Sequence, residues 1–137
     1  MKMGQIIGIV AVILLAAAIV GGLGTFLWLK DKSSNAGDRT KLERTFTPEE
    51  QRRMDQIQLT PEELAKFDGQ NGQKAYVAVN GVVYDVSGLR SWKTGQHHGV
   101  KAGTDATEKF VKSGHARAIL QKMPVVGGLN TNAKGSK

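Results

Sequence analysis

The stretch Trp92-Lys93-Thr94-Gly95-Gln96-His97-His98-Gly99-Val100-Lys101-Ala102-Gly103-Thr104-Asp105-Ala106-Thr107-Glu108-Lys109-Phe110-Val111-Lys112-Ser113-Gly114-His115 holds all three histidines of a 137-residue chain. They lie close to glycines, in turn-like settings, and a short helical pattern separates the His97-His98 pair from His115. That arrangement can present two imidazoles to opposite faces of a flat apolar cofactor. The helix between them is expected to start at Thr104 or Asp105, to pair Ala106 with Phe110 and Thr107 with Val111 at i, i+4, and to close with Gly114 at C′. His115 then opens a second short helix to Lys122 that presents Ile119 and Leu120, and Pro124 stops it. Val125-Val126-Gly127 can return as a strand.

Upstream, Lys74 to Val79 and Val82 to Val86 are β-rich runs separated by Asn80-Gly81, the strongest short hairpin signal because both residues accept positive φ. Thr47-Pro48-Glu49-Glu50 and Thr60-Pro61-Glu62-Glu63 are two copies of one helix start: threonine as N-cap, proline in the first turn, glutamate closing the capping box. The first opens a charged helix with little apolar face, read as a stalk. The second places Leu64 and Phe67 at i, i+3, where both can reach a core. Ser33 to Arg44 is polar and reads as a linker.

Ile6 to Leu29 is almost wholly apolar, carries no charge and exceeds the roughly 20 residues that span a bilayer core. Trp28 sits at its end, with Lys30 and Lys32 following. The expectation is an uncleaved single-pass anchor rather than a signal peptide, because no clear small-x-small site precedes a polar start. The lysine distribution leans toward a cytoplasmic domain; the short N-terminus followed by a long polar domain leans toward export. The favoured location is a bacterial inner membrane with the domain on the periplasmic side. The expected boundaries are residues 1–32 for the anchor, 33–58 for linker and charged helix, 59–129 for the folded domain and 130–137 for a disordered tail.

The chain has no cysteine. That excludes disulfides, thiolate metal sites, iron–sulfur clusters and thioether attachment of haem. Formal net charge is +7. From Leu59 to Lys137, eleven basic side chains face six acidic ones, a balance that suits an acidic protein or an anionic membrane. Few aromatics and scattered lysines argue against nucleic acid. No nucleophile elbow, phosphate-cradling loop or other catalytic constellation is present, so no enzymatic activity is expected.

Several segments, in order, resemble the cytochrome b5-like haem/steroid-binding family. They are Leu59-Thr60-Pro61-Glu62-Glu63-Leu64, the hairpin from Tyr76 to Val86 ending in Val-Tyr-Asp, Ala102-Gly103-Thr104-Asp105-Ala106-Thr107-Glu108-Lys109-Phe110, Gly114-His115, and Val125-Val126-Gly127-Gly128-Leu129. The resemblance implies a small α+β domain, following the single transmembrane helix expected from the apolar run, with a short mixed sheet and helix pairs forming a haem cleft. It implies a non-covalent haem b, and His115 falls where the family's second axial histidine falls. The first ligand is less direct. The family has His-Pro-Gly-Gly and a further helix; here His97-His98-Gly99-Val100-Lys101 leaves most of that helix out. A His-x-Gly reading makes His97 the ligand. The shortened loop of the membrane-associated progesterone-receptor branch has a tyrosine where His98 stands. The choice stays open, with His97 and His115 the favoured metal pair. Trp92, Phe110, Val83, Ile119 and Leu120 are expected to wall the cofactor. The implied function is single-electron transfer between membrane-bound or acidic redox partners. The alternatives are a non-redox module for haem or a sterol-like molecule, an accessory membrane subunit, and a three-histidine zinc site.

Overall fold

The computed structural model describes residues 35–133. The expected anchor over residues 1–32 and the last four residues of the expected tail lie outside the described residues. Among the described residues no helix is long and apolar enough to cross a membrane.

Both capping boxes form. Thr47 and Thr60 each accept from the third residue of their helix, and Glu50 and Glu63 reach back to the cap amides. They open α1 (Pro48–Gln56) and α2 (Pro61–Leu64). β1 (Gln58–Leu59) lies between them. Asn80 and Gly81 take φ values of 52° and 77°. That two-residue turn joins β2 (Tyr76–Val79) to β3 (Val82–Asp85) as an antiparallel hairpin. A second two-residue turn, His98-Gly99 at φ 46° and 76°, joins β4 (Gln96–His97) to β5 (Val100–Lys101). β6 (Thr104–Asp105), α3 (Thr107–Lys112), α4 (Ala118–Lys122) and β7 (Val125–Leu129) complete the chain.

The main sheet runs β1-β7-β3-β2-β6. The outer pairs, β1 with β7 and β2 with β6, are parallel; the inner pairs are antiparallel. This is the mixed sheet that the resemblance implied. The two-residue turn fixes which hairpin residues share a face. Val77, Val79, Val82 and Tyr84 pack with Phe110, Val111, Leu120, Met123 and Val125 on one side. Ala78 and Val83 pack with Leu64 on the other, with Leu59, Tyr76, Val126 and Leu129 around them. Along β7 the register steps from Val83↔Gly127 to Tyr84↔Val125, so Val126 is a bulged extra residue.

Several expectations change. Residues 33–58 do not behave as linker and stalk where described. Arg39–Leu42 form a 3-10 turn with Lys41 and Leu42 buried, and the compact unit begins at Asn35. α1 lies against β7, with Met54 and Phe46 packed on the core and the Arg53 guanidinium donating to the Val125 carbonyl at 3.2 Å. The reason is that the few apolar residues of this segment are supplemented by basic side chains whose stems pack while their heads bond to carbonyls. The helix expected from Thr104 or Asp105 starts at Thr107. Thr104 and Asp105 are drawn into the sheet beside Val77 and Ala78, and the Asp105 carboxylate accepts from the Thr107 amide at 3.0 Å. Gly114 follows α3 without a positive φ; Ser113 closes the helix, its amide bonding Lys109 and Phe110 carbonyls, and α4 begins three residues after His115. Residues 130–133 are also held: the Asn130 amide bonds the Leu59 carbonyl at 2.8 Å, and its side chain accepts from Asn132 and Ala133.

Candidate functional site

The first histidine pair is set by a hairpin. His97 is a strand residue paired with Val100, whereas His98 occupies the left-handed first position of the turn. The two imidazoles are therefore not equivalent. His97 is partly buried and its ring centre lies 5.5 Å from that of Trp92; His98 is exposed and meets the His97 ring edge-on at 4.2 Å. Gly95 makes the approach to this hairpin possible. Its φ is 75°, and a side chain there would strike the Asp68 carbonyl and the Gln70 side chain.

His115 is set from α3. The Ser113 hydroxyl donates to the Phe110 carbonyl at 2.6 Å and accepts from the His115 amide at 3.2 Å. This holds the His115 backbone one turn beyond Phe110, whose ring lies nearly parallel to the imidazole at 6.1 Å.

These elements meet around a cleft of 670 Å³, within the range of about 300–1,000 Å³ typical of cofactor sites. His97, His98, His115, Trp92, Phe110 and Ile119 all line it. Val83 does not. It pairs with Ala78 and is fully buried on the opposite face, because the turn's parity gives Val77 and Val79 to the cleft. Leu120 does not either. Successive residues on a helix point about 100° apart, so Ile119 faces the cleft while Leu120 packs in the core at 0% exposure. Sequence reading missed Val77, Val79, Val86, Leu89, Val100 and Met123 as walls, and Lys109, Lys112 and Ser113 at the edge. The alternation across Asn80-Gly81 carried the signal for the two β2 valines.

The rings of His97 and His115 are 5.9 Å apart, with planes 24° from parallel. Imidazole nitrogens bind transition metals at about 2 Å. With each nitrogen about 1 Å from its ring centre, a metal between two imidazoles separates the centres by about 6 Å. The separation of the two ring centres matches that spacing, and the walls around them are apolar. Burial, and after it the neighbouring His98 and His115 rings, hold the His97 pKa below the ordinary 6.5, so the neutral, metal-binding form is favoured. Among the described residues no three histidine or carboxylate groups form a metal-holding cluster.

A curled mixed sheet backing an apolar cleft, with two imidazoles facing across it, defines a small domain of the haem-binding class. Residues 60–130 match the family described as Cytochrome b5-like Heme/Steroid binding domain, and the chain belongs to that family. Such domains are haem-binding modules in general. A Hadesarchaea cytochrome b5 domain protein shares 47% identity and superposes with a TM-score of 0.51, covering 54% of this chain and 99% of that one. A cytochrome b5 domain protein of Methanococcoides burtonii shares 39% identity at a TM-score of 0.52, covering 55% and 99%. A Neuferricin homolog of Drosophila pseudoobscura pseudoobscura is 39% identical over 54 residues; the match spans 39% of this chain and 19% of that protein.

Proposed function

We propose that the chain is a membrane-anchored b-type haem protein that carries single electrons between redox partners, with His97 and His115 as axial ligands of a non-covalently held haem b. The observation that carries this reading is the imidazole pair 5.9 Å apart across an apolar cleft. The sequence has no cysteine for covalent attachment. His97 and His115 would hold the haem from both sides, and so held it would supply one-electron transfer rather than oxygen chemistry. The chain's own residues do the rest. Val77, Val79, Trp92 and Phe110 exclude water from the site. The His98-Gly99 turn and the Ser113 hydroxyl hold the two ligand-bearing backbones.

Lys109 and Lys112 sit at the cleft edge, exposed and without an ion pair among the described residues. With the basic balance of the domain they favour an acidic protein partner, whose association would weaken with salt. The apolar run Ile6 to Leu29 supports tethering to a membrane; the location proposed is a bacterial inner membrane with the domain on the periplasmic side. The protein in this reading is a carrier and performs no catalytic step of its own. The apolar character of the cleft favours one second reading, a non-redox module for haem or a sterol-like ligand.

The test is a reduced-minus-oxidised spectrum of the full chain in detergent, through repeated reduction and reoxidation. Sharp low-spin bands that survive the cycles support the carrier. A broad high-spin spectrum, haem lost at the first reduction, or no colour would favour the second reading. Retention of the chain in membranes after alkaline extraction tests the anchor.

A further inference from the structure

Residues 35–46 precede the family match, yet they bind both flanks of the corner that carries His115. Before that histidine, the Gly37 amide donates to the Val111 carbonyl at 2.7 Å, and the Lys41 ammonium donates to the Ser113 carbonyl at 2.6 Å. After it, the Arg44 guanidinium donates to the Leu120 carbonyl at 2.7 Å, and the Gln121 side chain donates to the Thr45 carbonyl at 2.9 Å. Arg39 adds an exposed pair with Glu108 at 3.0 Å.

Lys41 is the centre of this arrangement. It is 2% exposed and has no carboxylate within salt-bridge distance among the described residues. A buried ammonium is costly unless its donors are met. Here the Asn35 and Ser113 carbonyls, both at 2.6 Å, take two of them, and the Phe110 ring centre lies 5.0 Å away. An apolar side chain of similar length would serve packing as well. What the ammonium adds is direction. It fixes the Ser113 carbonyl, two residues before His115, and lies against Phe110, the ring beside the His115 imidazole.

We propose that residues 35–46 are a strap that fixes His115 toward the cleft, with Lys41 as its positioning residue. The inference rests on the haem-ligand reading of His115. A strap outside the shared domain would let this chain set its own haem retention without altering the cleft walls.

The test uses the full chain in detergent, with Lys41→Met to keep bulk and remove the donors, and Lys41→Arg to restore a cation. Transfer of haem to excess apomyoglobin should be about tenfold faster in Lys41→Met, the factor for losing one charge-assisted hydrogen bond. The ferric spectrum should gain a high-spin fraction, and Lys41→Arg should reverse most of both changes. In the cofactor-free protein, amide exchange should rise at 113–117 while the β2–β3 hairpin stays as protected as before. A purely structural lysine would instead raise exchange throughout and leave the spectrum low-spin, which would overturn the proposal. So would haem loss within twofold of the parent. If the parent chain takes up no haem, the haem reading falls and the strap's role toward a ligand falls with it. If the parent binds haem through His115 and Lys41→Met is indistinguishable from it, only the strap falls.

Discussion

Replacing Arg44 with alanine tests whether residues 35–58 belong to the folded domain. Its guanidinium is 1% exposed and bonds Glu50 at 2.7 Å and the Leu120 carbonyl at 2.7 Å. It also lies 4.7 Å from the Phe46 ring centre and 5.5 Å from that of Tyr84. Hydrogen bonds to a charged group contribute about 1.5–3 kcal/mol each. The loss is moderated on the Glu50 side, because that carboxylate is 20% exposed and keeps the Thr47 amide. A total of about 3 kcal/mol follows, the lower end for breaking a buried pair. For a domain of this size each kcal/mol moves the melting temperature by about 4–8 °C, so the drop should be about 12–24 °C. The assay is thermal and urea unfolding of the cofactor-free protein, with Arg52→Ala as control; Arg52 pairs with Glu49 at 60% exposure and should cost under about 0.5 kcal/mol. If Arg44→Ala also costs less than about 0.5 kcal/mol, the scale of an ordinary surface change, the segment is a linker after all and the reasoning fails.

Other outcomes follow from the same geometry. Gly127→Ala should destabilise by about 1–3 kcal/mol, read by urea unfolding, because the added carbon would fall on the Ile57 carbonyl and 2.8 Å from its Cγ2. Leu120→Ala should cost about 2–5 kcal/mol of stability, whereas Ile119→Ala should leave stability nearly unchanged and weaken haem retention. The reverse pattern would return Leu120 to the cleft wall. The depressed pKa of His97 sets a pH dependence with a definite sign. The unfolded chain takes up its proton near 6.5 and the folded chain resists, so stability of the cofactor-free protein should be full above 6.5 and fall below it. Urea midpoints at about pH 7.5 and 5.5 check this, and His97→Gln should flatten the difference.

The hairpin and both helix starts were legible because each depends on local chemistry: Asn80-Gly81 accepts positive φ, and the Thr-Pro-Glu-Glu copies satisfy their own first-turn amides. The placement of His115 came from the resemblance instead, since Gly114, the local signal expected to close the helix before it, takes no positive φ. Other features depend on contacts distant in sequence. Lys41 and Arg44 look like linker residues until Ser113 and Leu120 arrive to accept from them. Thr104 and Asp105 fit a helix start by composition, and only the open edge of β2 makes them a strand. Val83 was an avoidable miss, since the two-residue turn already assigns it to the face opposite Val77 and Val79.

The central claim is that His97 and His115, rather than His98, grip the cofactor. Visible and low-temperature spin-resonance spectra of the full chain and of His97→Ala, His98→Ala and His115→Ala test it directly. The parent and His98→Ala should give the same low-spin signature, while His97→Ala and His115→Ala should each lose it. A low-spin signature that survives in His97→Ala but vanishes in His98→Ala, or one that survives in His115→Ala, would contradict the account.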